Sequence, residues 1–175
     1  MLKLIIADDE RIIRETISTI IDWSQYGIEL AGLCSNGIEA YNMILDESPD
    51  LVITDIRMPG MNGLELIGRI SETDLDTQFI LLSGYGEFEY AKQALSLGIR
   101  QYLLKPFRFE DIESALLSCI HSLDNLESRR RQQTYIQEKL QLISPLLTEQ
   151  IYQDLLEGRI GDYSEKIAAC NIKDA

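Results

Sequence analysis

Side chains able to do polar chemistry follow short apolar runs in this sequence. Asp8, Asp9 and Glu10 come after Leu4-Ile5-Ile6-Ala7, and Asp55 comes after Leu51-Val52-Ile53-Thr54. Ser83 follows Phe79-Ile80-Leu81-Leu82, and Lys105 follows Tyr102-Leu103-Leu104 and precedes Pro106. Each alone has an ordinary explanation: acids cap helix N-termini and suit the helix dipole, a hydroxyl opens a turn, a lysine is solvated. At the ends of successive runs they call for a common one. Carboxylates gathered on one rim repel, which raises at least one pKa unless a cation enters. Oxygen-only donors favour a hard ion such as Mg2+, which keeps several waters and accepts phosphate oxygens as partners. Lys105 adds a positive point charge suited to a phosphoryl oxygen, and phosphoryl transfer needs mostly positioning and charge neutralisation. A carboxylate can be the nucleophile and form an acyl phosphate. Asp55, alone at the end of its run, is the candidate.

The elements that would position these groups alternate two periods. Leu2–Ala7, Ile28–Cys34, Leu51–Thr54, Phe79–Leu82 and Tyr102–Leu104 are short apolar runs, several of them near-continuous, as expected for strands covered on both faces. Helical spacing lies between and after them: Ile12, Ile13, Ile17, Ile20 and Ile21; Ala40, Met43 and Ile44; Leu64, Ile67 and Ile70; Phe88, Ala91 and Leu95; and Ile112, Ala115, Leu116, Cys119, Ile120 and Leu123. Strands alternating with helices imply an α/β domain with a five-stranded parallel sheet. Ligands of such sheets bind at the carboxyl ends of the strands, near the switch in strand order, which is where the polar residues fall.

Charge divides the chain. Of the formal −13, residues 1–122 carry 20 acids and 9 bases, a net of −11, and residues 123–175 carry 9 acids and 7 bases, a net of −2. A chain this acidic is poorly suited to wrapping nucleic acid. Arg129, Arg130 and Arg131 read as a solvated helix face. No apolar run approaches the ~18 residues of a membrane span, and the N-terminus lacks a signal peptide pattern, so a cytoplasmic location is expected. Cys34, Cys119 and Cys170 form no zinc spacing or disulfide framework and read as small apolar residues. His121 reads as a helix-surface residue. The division predicts a domain over 1–122 and an all-helical extension over 123–175. In the extension, Ser144-Pro145 reads as a helix start, Gly158 as its stop, and Asp162-Tyr163-Ser164-Glu165 as a capping box opening another short helix. The end at Asn171–Ala175 reads as a cut.

The stretches Ile5-Ile6-Ala7-Asp8-Asp9-Glu10, Asp55-Ile56-Arg57-Met58-Pro59-Gly60-Met61-Asn62-Gly63, Leu82-Ser83-Gly84-Tyr85-Gly86 and Tyr102-Leu103-Leu104-Lys105-Pro106-Phe107 resemble, in order and spacing, the receiver domain of bacterial two-component response regulators. The resemblance covers about residues 1–122. It implies a flavodoxin-like, doubly wound sheet of order 2-1-3-4-5. It also implies a phosphoacceptor rather than a conventional enzyme, with Asp55 taking a phosphoryl group from a sensor histidine kinase. Asp8, Asp9, Asp55 and the backbone carbonyl of Arg57 would hold Mg2+. Ser83 and Lys105 would each meet a phosphoryl oxygen, Tyr102 would be the aromatic switch, and the Lys105-Pro106 bond would be cis. Gly84 would leave room for the phosphodonor.

Asp22-Trp23 and Ser83–Lys92 narrow the likeness to receivers joined to AraC-type DNA-binding domains, with DNA reached only through an output domain outside this chain. A stand-alone or pseudo-receiver interaction module is the alternative. A haloacid-dehalogenase-type phosphatase wants an acid where Arg57 stands, and a nucleotide-binding loop wants glycine where Glu89 stands. Finally, Ile112, Leu116, Cys119, Leu123 and Leu126 follow coiled-coil spacing. Arg130, Gln133 and Gln137 interrupt it, and Ile136, Leu140, Ile143 and Leu147 resume it in shifted register. This predicts a homodimer through the helix after Pro106.

Overall fold

The computed structural model describes residues 1–84 and 88–156. Strands β1 (Leu2–Ala7), β2 (Ile28–Cys34), β3 (Leu51–Asp55), β4 (Gln78–Ser83) and β5 (Gln101–Leu104) alternate with helices α1 (Arg11–Ile20), α2 (Gly37–Glu47), α3 (Gly63–Ser71), α4 (Phe88–Ser96) and α5 (Phe109–Leu156). A single 3-10 turn, Trp23–Tyr26, separates α1 from β2. All strand pairs are parallel, in the order β2-β1-β3-β4-β5. The flavodoxin-like topology expected from the sequence is therefore the one the chain adopts. From β1 the chain moves outward to β2, then crosses to the other side of β1 for β3. That reversal opens a crevice at the carboxyl ends of β1 and β3.

The near-continuous apolar runs follow from two packed layers. Ile5, Val52 and Leu81 face one layer, with Ala40 and Ile44 of α2 and Ile67 and Ile70 of α3. Leu4, Ile6, Leu51, Ile53, Ile80 and Leu82 face the other, with Ile17 of α1 and Ile112, Leu116 and Cys119 of α5. Each buried Ile or Leu contributes roughly 1.5–3 kcal/mol relative to exposure, so β1 and β3 are fixed from both sides. Trp23 is also buried, its indole N–H donating to the Ser18 carbonyl at 3.1 Å.

Two helices begin on side-chain caps. Asn36 accepts from the Glu39 N–H at 2.9 Å, and Asn62 and Glu65 form a reciprocal capping box. Gly63, the first residue of α3, leaves no room for a side chain: a Cβ there would lie 2.3 Å from the carbonyl oxygen of Asp55. The turn after β3 thereby folds back against the strand end.

Three expectations are corrected. The isoleucines at 12, 13, 17, 20 and 21 do not form one buried stripe: Ile17 and Ile21 are buried and Ile13 half-buried, whereas Ile12 is 80% exposed and Ile20 47%. Positions 13 and 17 share one line of the helix, and Ile12 lies about 100° away from that line; Ile21 follows the helix in extended backbone. On α4, among the described residues, the buried position is Ala94, not Leu95, which is 71% exposed. Ser144-Pro145 does not start a helix, because α5 runs through it. Proline there removes one backbone donor, a local cost of about 3 kcal/mol, but Glu138-Lys139-Leu140-Gln141 before it and Leu146-Leu147 after it are good helix formers. Gly158, the Asp162–Glu165 capping box, Cys170 and the chain end lie outside the described residues, as does Tyr85-Gly86.

The chain divides into two compact units, Met1–Asp124 and Asn125–Ala175. In the first, the core-facing positions of α5 are buried as far as Cys119, and Ile120 and Leu123 are half-buried. In the second, residues 125–141 are exposed, Leu126, Ile136 and Leu140 among them. His121 is exposed on α5, and Arg131 pairs with Glu127. Among the described residues, no helix is long and apolar enough to cross a membrane.

Candidate functional site

The sheet order brings the polar strand ends together. β1 pairs with β3 up to Ala7 and Thr54, so Asp8 and Asp55 leave neighbouring strands side by side. β3 pairs with β4 through Asp55 and Leu82, and β4 with β5 through Ser83 and Leu104, which places Ser83 and Lys105 next along the same rim. Asp8, Asp55 and Ser83 are buried, and Asp9 is exposed.

Carboxylate oxygens of Asp8, Asp9 and Asp55 lie within 4.8 Å of one another. The Lys105 ammonium sits among them. Its Nζ is 2.8 Å from Asp8 Oδ2, 3.2 Å from Asp55 Oδ1 and 3.8 Å from Glu10 Oε1. The other oxygen of Asp8, Oδ1, accepts from the Glu10 N–H at 2.9 Å, an Asx-type turn that starts α1. The Lys105 N–H donates to the Ser83 carbonyl at 2.7 Å, and the Lys105-Pro106 bond is cis. The Ser83 hydroxyl donates to the Gly84 carbonyl at 3.2 Å. Among the described residues, chain neighbours aside, no atom lies within 4 Å of where a Cβ on Gly84 would stand.

The electrostatics follow from burial. Asp55 is pushed up to about 6, chiefly by desolvation; the Lys105 charge opposes this, and the Asp8 carboxylate adds to it. For Lys105, burial works against its charge, but the hydrogen bond to Asp8 and the charges of Asp55 and Asp8 together raise its pKa. The rim thus holds more buried anion than one ammonium neutralises. Three carboxylates converging on oxygen-only ground, with two of them buried, suit a hard divalent cation.

Arg57 lies two residues past Asp55 in the loop between β3 and α3, with its side chain exposed. Tyr102, on β5 opposite Leu81, is half-buried against the α2–α3 layer. The rim therefore gathers Asp8, Asp9, Asp55, Ser83 and Lys105, while Arg57 and Tyr102 flank it. Two contacts were not read from the sequence. Arg14 of α1 donates through Nη1 to the carbonyl of Asp8, and the Tyr26 hydroxyl donates to Glu113 of α5. The only signal for Arg14 was a cation set between Ile13 and Ile17 on the half-buried side of α1.

The sequence matches the family described as response regulator receiver domain over residues 4–117. It is 42% identical over 158 residues to the uncharacterized transcriptional regulatory protein YesN of Bacillus subtilis strain 168, a match covering 90% of this chain and 43% of that protein. With the transcriptional regulatory protein HptR of Staphylococcus aureus strain NCTC 8325 it shares 40% identity over 129 residues, 74% of this chain and 50% of that one. The chain spans half or less of the length of these relatives. Among solved structures, the receiver domain of AraT, a response regulator from Geobacillus stearothermophilus, superposes with a TM-score of 0.68 at 34% identity, covering 72% of this chain and 98% of that one. A two-component transcriptional regulator AraC from Clostridium phytofermentans ISDg gives 0.67 at 31%, covering 71% and 97%.

Proposed function

Because the chain belongs to the response regulator receiver family, we propose that Asp55 receives a phosphoryl group from the phosphohistidine of a sensor histidine kinase. The observation that carries this reading is the Lys105 ammonium, 2.8 Å from Asp8 and 3.2 Å from Asp55, beside the buried Ser83 hydroxyl. An oxygen of Asp55 forms the new O–P bond as the P–N bond of the donor breaks, and that electron pair stays with the imidazole. Ser83 donates to one phosphoryl oxygen and Lys105 turns from the carboxylates to another. Asp8, Asp9, Asp55 and the carbonyl of Arg57 hold Mg2+, which supplies charge neutralisation for the transferred group. Gly84 leaves the approach open. The reaction is a single self-catalysed transfer followed by slow hydrolysis of the acyl phosphate, rather than multiple-turnover catalysis.

Output follows from what adjoins the rim. Ser83 and Tyr102 sit on β4 and β5, and the chain passes from β5 directly into α5. The exposed Leu126, Ile136 and Leu140 on α5 support pairing with a second copy of this chain, kept weak by Arg130, Gln133 and Gln137. Residues 1–122 are the phosphoacceptor domain. Residues 123–175 link it to a DNA-binding domain of the AraC type; the relatives, of which the matched stretch covers half or less, and the acidic balance of the receiver support this. Transcription control in the cytoplasm is the consequence.

Treatment with acetyl phosphate and Mg2+, read by intact mass, tests the assignment. One phosphoryl addition is expected, dependent on Mg2+ and absent in Asp55→Asn. Labelling of Asp55→Asn at the wild-type rate, steady turnover of the donor, or an inert wild-type protein would each overturn it.

A further inference from the structure

Arg14 is a cation next to the rim that the proposed transfer does not use. It lies on the second turn of α1, half-buried, and its Nη1 donates to the backbone carbonyl of Asp8. That carbonyl follows the last paired residue of β1, so no neighbouring strand holds it. Its charge is also felt at the β2–α2 corner. There Glu39 is held below the ordinary carboxylate range, first by the Ser35 N–H, then by the Ser35 hydroxyl, with the Arg14 charge adding to both. The contact Arg14 makes is thus with the end of β1.

The position of that bond matters because of peptide geometry. The Asp8 carbonyl belongs to the rigid plane joining Asp8 to Asp9. The two Cα atoms at the ends of that plane carry two of the three clustered carboxylates. Asp8 itself is fixed on every polar atom: its N–H donates to the Cys34 carbonyl at 3.1 Å, and its carboxylate accepts from Glu10 and Lys105. Asp9 is exposed, and its direction is set through the plane. We propose that Arg14 is a positioning residue of the acidic site: by gripping the carbonyl between Asp8 and Asp9 it fixes how both carboxylates face the bound cation.

The inference rests on the reading of the rim as a Mg2+ site, and its sign separates it from simple electrostatics. A cation near a metal site repels the metal, so deleting one by charge alone tightens Mg2+ binding. Deleting a positioning group weakens it. Partners that orient metal ligands typically contribute ten- to a hundredfold in affinity; a loss of about tenfold is expected for Arg14→Met, which keeps the apolar stem and removes the donor. Arg14→Gln is the second variant should the first not fold. Arg11→Gln, one turn earlier on an exposed side chain paired with Glu15, removes the same charge without that bond. It should leave affinity unchanged or slightly tighter.

Calorimetric Mg2+ titration of the four proteins, with thermal melts in the absence of metal, tests this. Weakened Mg2+ binding by the Arg14 variants beside an unweakened Arg11→Gln is the expected result. Arg14 variants that bind as tightly as wild type or tighter overturn the positioning role and leave the site intact. A wild-type protein that does not bind Mg2+ overturns the reading of the site, and the inference with it.

Discussion

Ile53 and Asp55 stand two residues apart on β3 and face the same side of the sheet. Both are buried. Ile53 lies between α1 and α5 among Leu4, Ile6, Ile80 and Leu82, where removal from water is the stabilising event. Asp55 has left that layer by one strand step and lies among Asp8, Asp9 and Lys105, where removal from water is a cost that charge only partly offsets. The same burial has opposite signs at the two positions. The layer holds the rim in place, and the rim is kept reactive at the expense of the layer.

The larger break in that comparison is on the apolar side. Ile53→Ala should lower unfolding free energy by about 2–5 kcal/mol, the range for emptying a well-packed site. Urea denaturation reads it directly; a loss below about 1 kcal/mol would mean the layer collapses around the cavity.

Asp55→Asn should act in the opposite direction. The folded pKa of Asp55, about 6, is above its ordinary value of 3.8. The folded state therefore binds this proton more tightly than the unfolded state does. Its contribution is fully present below about pH 4 and is lost as pH rises through 6. Asparagine carries no charge at any pH, so the variant and the wild type should differ little near pH 4. Above pH 7 and without Mg2+, the variant should be more stable by up to about 3 kcal/mol, at 1.36 kcal/mol per pKa unit. Paired denaturation curves at the two pH values check both sign and window. A variant less stable than wild type at pH 7 would show that the Lys105 ion pair outweighs burial.

The layer was legible in the sequence because a parallel sheet covered on both faces writes itself as continuous apolar runs. The candidate site was legible for a related reason: strand ends are marked by where those runs stop, and Asp8, Asp9, Asp55, Ser83 and Lys105 stand at the stops. Helix faces were less legible. α1 carries more isoleucines than one face can bury, and periodicity alone did not say that Ile12 and Ile20 would be left out, nor that the small Ala94 rather than Leu95 would meet the core. Arg14 was illegible for a stricter reason. Its partner is a backbone carbonyl, which no residue type announces. The continuity of α5 past Ser144-Pro145 reflects a balance of helix propensity against one lost hydrogen bond, and a local start signal gives only one side of it.

The smallest effect expected is at the cysteines, where burial acts on an acid with far less opposing charge. The thiol of Cys34 is pushed up to about 12, chiefly by desolvation, with the Glu39 charge adding and the Arg14 charge opposing; Cys119 is pushed up to about 11 by desolvation alone. Cys34 ends β2 within one layer, 3.6 Å from the Met43 sulfur, and Cys119 lies in the other. Desolvation is the leading cause at Cys34, Cys119 and Asp55 alike. What differs is the opposing charge: Asp55 has an ammonium at 3.2 Å, so it ionises within the neutral range, whereas at Cys34 the Arg14 charge opposes burial only weakly and at Cys119 burial acts alone. Since the thiolate is the nucleophile, both thiols stay almost wholly protonated at pH 8. Native protein at that pH should resist iodoacetamide at both positions while urea-unfolded protein reacts, with peptide mass mapping to locate the label. Rapid alkylation of Cys34 in the folded protein would mean that the β2 end opens to solvent. The contrast between a layer that keeps acids neutral and a rim that lets them ionise would then fail where the two meet.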